Sequence, residues 1–317
     1  MRLRRSHPDR PGLGRRRAGR GFVYLGTGGR PLKDRAAIER IKGLVIPPAW
    51  KDVWISPDER GHIQATGVDA AGRTQYLYHP QWRQRRDRKK FDHVLEVAEH
   101  LPDLRDRVRR DLTRGRGLTR ERVLAAIVAL LDRGMFRVGG AQSADRDEDP
   151  SYGLSTLRPD HVRGRDGCMV LEFVGKSGIE HTSAVDDGEV CAVLRALRRR
   201  RRGEDRLFAY WDPSARRWRE ISAAEINDYL GEEMTAKDFR TWHGTVTAAR
   251  ALDEAGPQPT KTARRKAVAG AMREVADRLG NTPAVARSSY VDPRVVEAYE
   301  SGVTAATEAG VADLLTP

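Results

Sequence analysis

Hydrophobic residues along this chain change their spacing near residue 92. Before it they fall in short runs that alternate with polar residues and end at turn formers. "GFVYLGTGGRPL" at 21–32 predicts a strand entering a glycine turn, and "DVWISPDERGHIQATGVDAAGRTQYLYHP" at 52–80 predicts short strands separated by the "SPDERG" and "DAAGR" turns. One helical segment, "DRAAIERIKGL" at 34–44, lies between them. Within "GRTQYLYHP" the period of two puts Gln75 and Leu77 on one strand face and Tyr76 and Tyr78 on the other.

Beyond the change the period is helical. In "LTRERVLAAIVALLDRGMF" (118–136) Thr119 can cap a helix whose Val123, Leu124, Ile127, Leu130 and Leu131 share a face. Gly134 reads as its stop, so that Arg137 emerges just past the end. "MVLEFVGKSGIEHTSAV" (169–185) predicts a hairpin with Lys176 on its glycine-flanked tip. Further helices are predicted in 186–202, 222–234, 235–256 and 261–280, with Ser222/Glu225 and Thr235/Asp238 spaced as capping boxes. Asn281 with Pro283 and Asp292 with Pro293 form two helix-start pairs, which leaves Tyr290 between two short helices. The pattern predicts an α+β protein of two domains. Residues 1–95 form a small β-sheet-rich module, with "RRDRKK" at 85–90 as the hinge. Residues 96–317 form a larger, mainly α-helical region with one β-hairpin.

Charge narrows the partner. The chain has 317 residues, 32% of them charged, and a net charge of +13, mostly from arginine. Arginine forks onto phosphate oxygens and releases counterions, so the surplus suits a nucleic acid; the alternative is a set of arginine-laden solvent faces. The two cysteines, Cys168 and Cys191, have no metal-type spacing and the histidines are scattered. Neither a disulfide framework nor a metal site is expected, in keeping with the reducing cytoplasm. The longest apolar run, "VLAAIVALL" at 123–131, is too short to span a bilayer, so no membrane partner is expected. The first twenty residues are basic with no apolar segment after them, and are expected to be a mobile basic arm rather than a secretory signal.

Breaking a phosphodiester by transesterification needs an in-line nucleophile, cations for the charged equatorial oxygens and an acid for the departing alkoxide. Separated arginines, a lysine on a projecting tip and a tyrosine at a helix junction meet that list, but so do many basic proteins. Taken singly, Tyr290 reads as a packing tyrosine, Arg137 as a helix-end cation, Lys176 as a solvated lysine, Arg240 as a structural arginine beside Phe239 and Trp242, and Asn281 as a helix cap.

Their order is what distinguishes them. "FRVG" (136–139), "YGLSTLRPDHV" (152–162), "FVGKSG" (173–178), "KDFRTWHGT" (237–245) and "LGNTPAVARSSYVDPRVVEAY" (279–299) together resemble the catalytic domain of type IB DNA topoisomerases, in the poxvirus-like branch found in bacteria. "IPPAWKDVWISPDERGHIQATGVDAAGRTQYLYHPQWRQRRD" (46–87) is similar to that branch's N-terminal DNA-clamping domain. The resemblance implies the catalytic fold shared with tyrosine recombinases and a monomeric clamp on duplex DNA, nucleoid-associated, that relaxes supercoils with no ATP, metal or other cofactor. By position it implies Tyr290 as nucleophile forming a 3′-phosphotyrosyl link, Arg137 and Arg240 on the scissile phosphate, and Lys176 as general acid to the 5′ oxygen. Asn281 stands where viral members have a histidine; an amide can donate the same hydrogen bond but does not titrate near neutral pH. Gln75, Tyr76, Tyr78 and Arg73 are implied as DNA contacts.

Two stretches depart from the family pattern. After the first arginine the family usually has an asparagine and, three residues on, a tyrosine; here "GAQSADRDEDPS" (140–151) gives Gly140 and Ser143 and four acidic residues, which predicts a mobile loop unattractive to DNA. Ser288 stands where a basic residue is common. A tyrosine recombinase is the second reading, although Lys237 occupies the place where recombinases usually have a histidine. A non-catalytic DNA-binding protein is the third, and a plain basic RNA-binding module the last.

Overall fold

The computed structural model describes residues 1–115, 117–165, 168–200 and 205–316; of the arginine run at 198–202, Arg201 and Arg202 lie outside them. The chain divides into two units, Met1–Lys90 and Phe91–Pro317.

The first unit is a five-stranded antiparallel sheet with one helix. Its elements are β1 (Leu13–Ala18), β2 (Gly21–Leu25), α1 (Arg35–Gly43), β3 (Lys51–Ile55), β4 (Ile63–Val68) and β5 (Thr74–Tyr78), in the sheet order β2-β1-β3-β4-β5. Leu13, Ile41, Ile46, Ile55 and Ala65 make its core. Asp34 starts α1 by accepting from the amides of Ala36 and Ala37.

The expected mobile arm is instead part of this sheet. β1 pairs with β2 from Gly14↔Leu25 to Ala18↔Gly21 and with β3 at Leu13↔Ile55. Upstream, Arg4 exchanges backbone hydrogen bonds with Arg60 and His62 at 2.8 and 2.9 Å. Only Leu13 of β1 is buried, so the strand carries almost no apolar signal. Backbone pairing holds it, aided by Arg15, whose guanidinium donates to the carbonyls of Ile46, Pro47 and Trp50 and lies over the Phe22 ring at 4.1 Å.

α2 (Pro80–Thr113) begins at a proline and runs through the segment 85–90 expected as the hinge, and the division between the units, after Lys90, falls inside it. Pro80 at the first position was the available start signal. α3 (Arg120–Gly134) is the centre of the second unit: every residue from Arg122 to Leu131 is buried, where one apolar face was expected. Its left-handed end is Met135 (φ 52°) rather than Gly134, at which a Cβ would meet the Phe136 ring at 2.1 Å.

α4 (Ala141–Ala144) follows, and then a three-stranded antiparallel sheet of β6 (Val162–Arg165), β7 (Cys168–Val174) and β8 (Glu180–Val185), the predicted hairpin with one strand added. α5 (Gly188–Arg198) precedes an unpredicted two-stranded ribbon, β9 (Ala209–Asp212) and β10 (Arg217–Glu220). The remaining helices are α6 (Ala223–Leu230), α7 (Ala236–Ala255), α8 (Lys261–Leu279), α9 (Pro283–Ser289), α10 (Pro293–Glu300) and α11 (Glu308–Leu315). Both predicted capping boxes are present: Glu225 accepts from the Ser222 amide and Asp238 from the Thr235 amide, at 3.0 and 2.8 Å. Phe208, Phe239 and Trp242 are the largest side chains fully enclosed in this α+β arrangement. No described helix is long and apolar enough to cross a membrane.

Candidate active site

The segment carrying Arg137 is fixed by backbone. Leu154 N donates to Arg137 O (2.9 Å) and Ser155 N to Val138 O (2.7 Å). Gly139 has φ +89°, and a Cβ on Gly153 would lie 2.4 Å from Gly139 N, so the "FRVG" and "YGLSTL" segments touch through their glycines. The loop between them, expected to be mobile, is folded. It folds into α4, Ser151 N donates to Ser143 O (2.9 Å), and Asp145 pairs with Arg206.

Arg240 lies on α7, 3% exposed. Its Nη1 donates to Met135 O and its Nη2 to Leu279 O (2.7 Å), so one guanidinium joins the C-terminal ends of α3 and α8, where helix dipoles favour a cation. It stacks on neither Phe239 nor Trp242 but lies over the Tyr290 ring, 5.1 Å from its centroid. Behind it, Asp132 of α3 bonds His243 of α7 (2.8 Å) and Arg105 of α2 (2.7 Å), and Arg105 also reaches Glu308 of α11 (2.8 Å). Burial opposes ionisation of Asp132, but the hydrogen bonds from His243 and Arg105 outweigh it and hold its carboxyl at about 2.

Tyr290 is the residue at which α9 stops; its amide donates to Ala286 O at 2.9 Å. Thr245 of α7 holds the turn, donating from Oγ1 to Tyr290 O (3.3 Å) and accepting from Asp292 N (3.1 Å). The approach requires Gly244, where a Cβ would come 2.8 Å from Tyr290 O. Asp292 then caps α10. Asn281 is not the cap of α9; Thr282 is, accepting from Val285 N. Asn281 Oδ1 instead accepts from Arg137 Nη2 at 2.9 Å, and Arg137 Nη1 lies 3.5 Å from Tyr290 Oη.

Arg137, Arg240, Asn281 and Tyr290 are therefore brought together, with Tyr290 only 7% exposed as a residue. Burial opposes its ionisation, but the guanidiniums of Arg240 and Arg137 outweigh burial and hold the Tyr290 phenol below its ordinary value. Arg240 itself is pulled down to about 10, by burial and then by Arg137, and stays charged at neutral pH. Two buried donors, Arg240 Nε and Asn281 Nδ2, have no partner.

Lys176 makes no hydrogen bond to this group. It stands exposed on a tip of one 3₁₀ turn, closed by Gly175 N donating to Ile179 O at 2.7 Å. Sequence reasoning missed His181 on β8. Its ring stacks on Phe173 (5.1 Å, 19°) and lies beside both Gly175, where the hairpin tip begins, and the turn before Asn281; burial, then Arg240 and Arg137, push its pKa down. A histidine one strand past a glycine tip has no sequence signature.

In the first unit Tyr76 and Tyr78 are 45% and 40% exposed and stack on each other at 6.1 Å, so they are not buried against the helix. Gln75, on the opposite face, donates from Nε2 to Asp69 Oδ2 (2.9 Å). Arg73 pairs with the same carboxylate at 2.8 Å.

The family described as eukaryotic DNA topoisomerase I, catalytic core, matches residues 79–311, and that described as bacterial DNA topoisomerase IB, N-terminal domain, matches residues 21–69. The DNA topoisomerase 1B of Acanthamoeba polyphaga mimivirus is 30% identical over 301 residues, covering 92% of this chain and 88% of that protein. The DNA topoisomerase 1B of Vaccinia virus (strain Copenhagen) is 21% identical over 274 residues, 83% of this chain and 82% of its own. DNA topoisomerase 1 of Schizosaccharomyces pombe is 28% identical over 171 residues, 52% of this chain and 19% of its own. The match over most of the chain and the relative at this identity place it plainly: the chain belongs to the type IB DNA topoisomerases, isomerases of DNA.

Proposed function

We propose that this enzyme relaxes supercoiled duplex DNA by cutting and resealing one strand through Tyr290, with neither ATP nor a metal ion. The observation that carries the reading is the phenol set against two guanidiniums, Arg137 Nη1 at 3.5 Å from Oη and Arg240 over the ring. Two cations beside one phenol favour the phenolate, the form that attacks. The same cations suit the equatorial oxygens of a phosphodiester, and Arg240 Nε and Asn281 Nδ2 are buried donors suited to accept-only oxygens.

In the cleavage step Tyr290 Oη forms a bond to phosphorus while the bond from phosphorus to the 5′ oxygen breaks. The product is a 3′-phosphotyrosyl link and a 5′-hydroxyl, whose proton comes from Lys176 with Arg137 assisting. The phenol proton goes to solvent. Resealing is the reverse, and the phosphotyrosyl bond stores the energy it needs. The free end turns between the two steps and loses superhelical strain. Tyr76 and Tyr78 are proposed to lie on DNA, as an aromatic pair between bases and backbone; Gln75 and Arg73 join them at the strand's start. Binding should weaken steeply with salt, because arginine–phosphate contacts dominate it.

The test is relaxation of a supercoiled plasmid in EDTA without nucleotide, beside Tyr290→Phe. Relaxation by the wild type and none by the variant, with DNA binding retained in both, is expected. Relaxation by Tyr290→Phe, or a requirement for metal or ATP, would overturn the proposal.

A further inference from the structure

His181 occupies a slot between two glycines from different parts of the catalytic unit. A Cβ on Gly175 would lie 2.5 Å from its Cδ2 and 2.6 Å from its Nε2. One on Gly280 would lie 2.8 Å from its Cε1 and 3.2 Å from its Nε2, and 3.5 Å from Ile179 Cγ2. Gly175 immediately precedes Lys176, and Gly280, left-handed at φ +59°, immediately precedes Asn281. The carbonyl of Leu279, one residue further back, is held by Arg240.

The other side of the ring is fixed as well. His181 stacks on Phe173, which lies 6.4 Å from the His161 ring, and His161 in turn meets Tyr152 edge-on at 4.4 Å. Phe173 also packs on Phe136, the residue before Arg137. The imidazole, with Ile179 beside it, is thus where the hairpin meets the turn at Gly280 on the helical side of the site. Neither glycine slot would admit it with a side chain present.

We propose that His181 is a positioning residue: wedged between Gly175 and Gly280, it sets where the hairpin holds Lys176 relative to the Asn281–Tyr290 segment. This rests on the reading of Lys176 as the acid given above. Burial, with Arg240 and Arg137, favours its neutral form, which adds no repulsion against those cations. The wedge acts on a lysine that the fold otherwise leaves unheld, so its effect should fall on the proton transfer and spare the phosphate.

A substrate with sulfur in place of the 5′ bridging oxygen separates the two, because a thiolate leaves without a proton. At a cleavage site mapped with the wild type, matched oxygen and sulfur duplexes are compared in single turnover. His181→Ala is expected to slow the oxygen substrate about tenfold or more, a part of the ~10²–10⁴ that a general acid supplies, and to leave the sulfur substrate nearly unchanged. Gly175→Ala, whose backbone at φ −92° admits alanine, should give the same pattern by displacing the ring, and supplies the test if His181→Ala does not fold. In Gly175→Ala/His181→Ala the clash is gone, so the double variant should match His181→Ala alone rather than multiply the two defects. Equal slowing of both substrates, no slowing of either, or multiplied defects would overturn the proposal. If the wild type forms no Tyr290 adduct with either substrate, the function proposed above fails and takes this inference with it.

Discussion

Arg240 and Lys176 are both cations proposed to act on one phosphodiester, yet the fold treats their regions oppositely. Around Arg240 the ends of α3 and α8 and the ring of Tyr290 hold the guanidinium, and its helix α7 is tied three residues on, at His243, into the Arg105–Asp132–Glu308 network. At the β7–β8 tip Lys176 is exposed, in a turn closed by two backbone hydrogen bonds, Gly175 N to Ile179 O and Gly178 N to Gly175 O. A group that stabilises charge gains from being fixed before the reaction, since no reorganisation is then needed. A group that delivers a proton must move with its acceptor, so a rigid base under a free tip is sufficient.

The largest effect that would test this contrast is at Arg240. Arg240→Ala should slow single-turnover cleavage by roughly 10³, on the scale of losing a fixed charge stabiliser, and also lower the melting temperature. Arg240→Lys should recover little, because one ammonium cannot hold Met135 O and Leu279 O in a fork and cover a ring. Lys176→Ala should slow cleavage by about 10² or more and leave the melting temperature unchanged. A loss of stability at Lys176, or none at Arg240, would break the comparison.

Asp132→Asn tests the network that ties α3 to the Arg240-bearing helix α7 through His243. Its folded pKa is depressed to about 2 from 3.8, so its contribution is present above about pH 4 and is lost as pH falls from there towards 2. The contribution is on the order of 2 kcal/mol. Thermal melts should show the variant less stable at neutral pH and less sensitive to acid across that range; equal curves would remove the network from the account.

A smaller effect is expected in the pH profile. With the Tyr290 phenol held below its ordinary value, the cleavage rate should rise with pH and level off below pH 10. In Arg137→Ala the rising limb should move to higher pH. The smallest effect is at Tyr76, where alanine should weaken DNA binding severalfold, by the ~1–3 kcal/mol of a base–aromatic stack at most, without altering the rate of bound enzyme.

What the sequence revealed follows from how local each signal is. The capping boxes, the glycine tip and the tyrosine between two helix starts depend on residues within a few positions of one another, and all were readable. Competing local signals misled at two points: Gly134 looked like the helix stop that Met135 makes, and Asn281 looked like the cap that Thr282 makes. β1 was hidden because arginines fill it, and β9 and β10 because four residues give too few alternations to count. The residues behind the site were out of reach for another reason. Arg105, Asp132, His243 and Glu308 meet only when four helices pack, and nothing in their spacing signals it.

The most direct test is to trap the covalent complex on a nicked or suicide duplex, digest the protein and identify the modified peptide by mass spectrometry. The account predicts a nucleotide 3′-phosphate on Tyr290, within the peptide containing "SSYVDP". A link to any other residue, or through a 5′-phosphate, would contradict it.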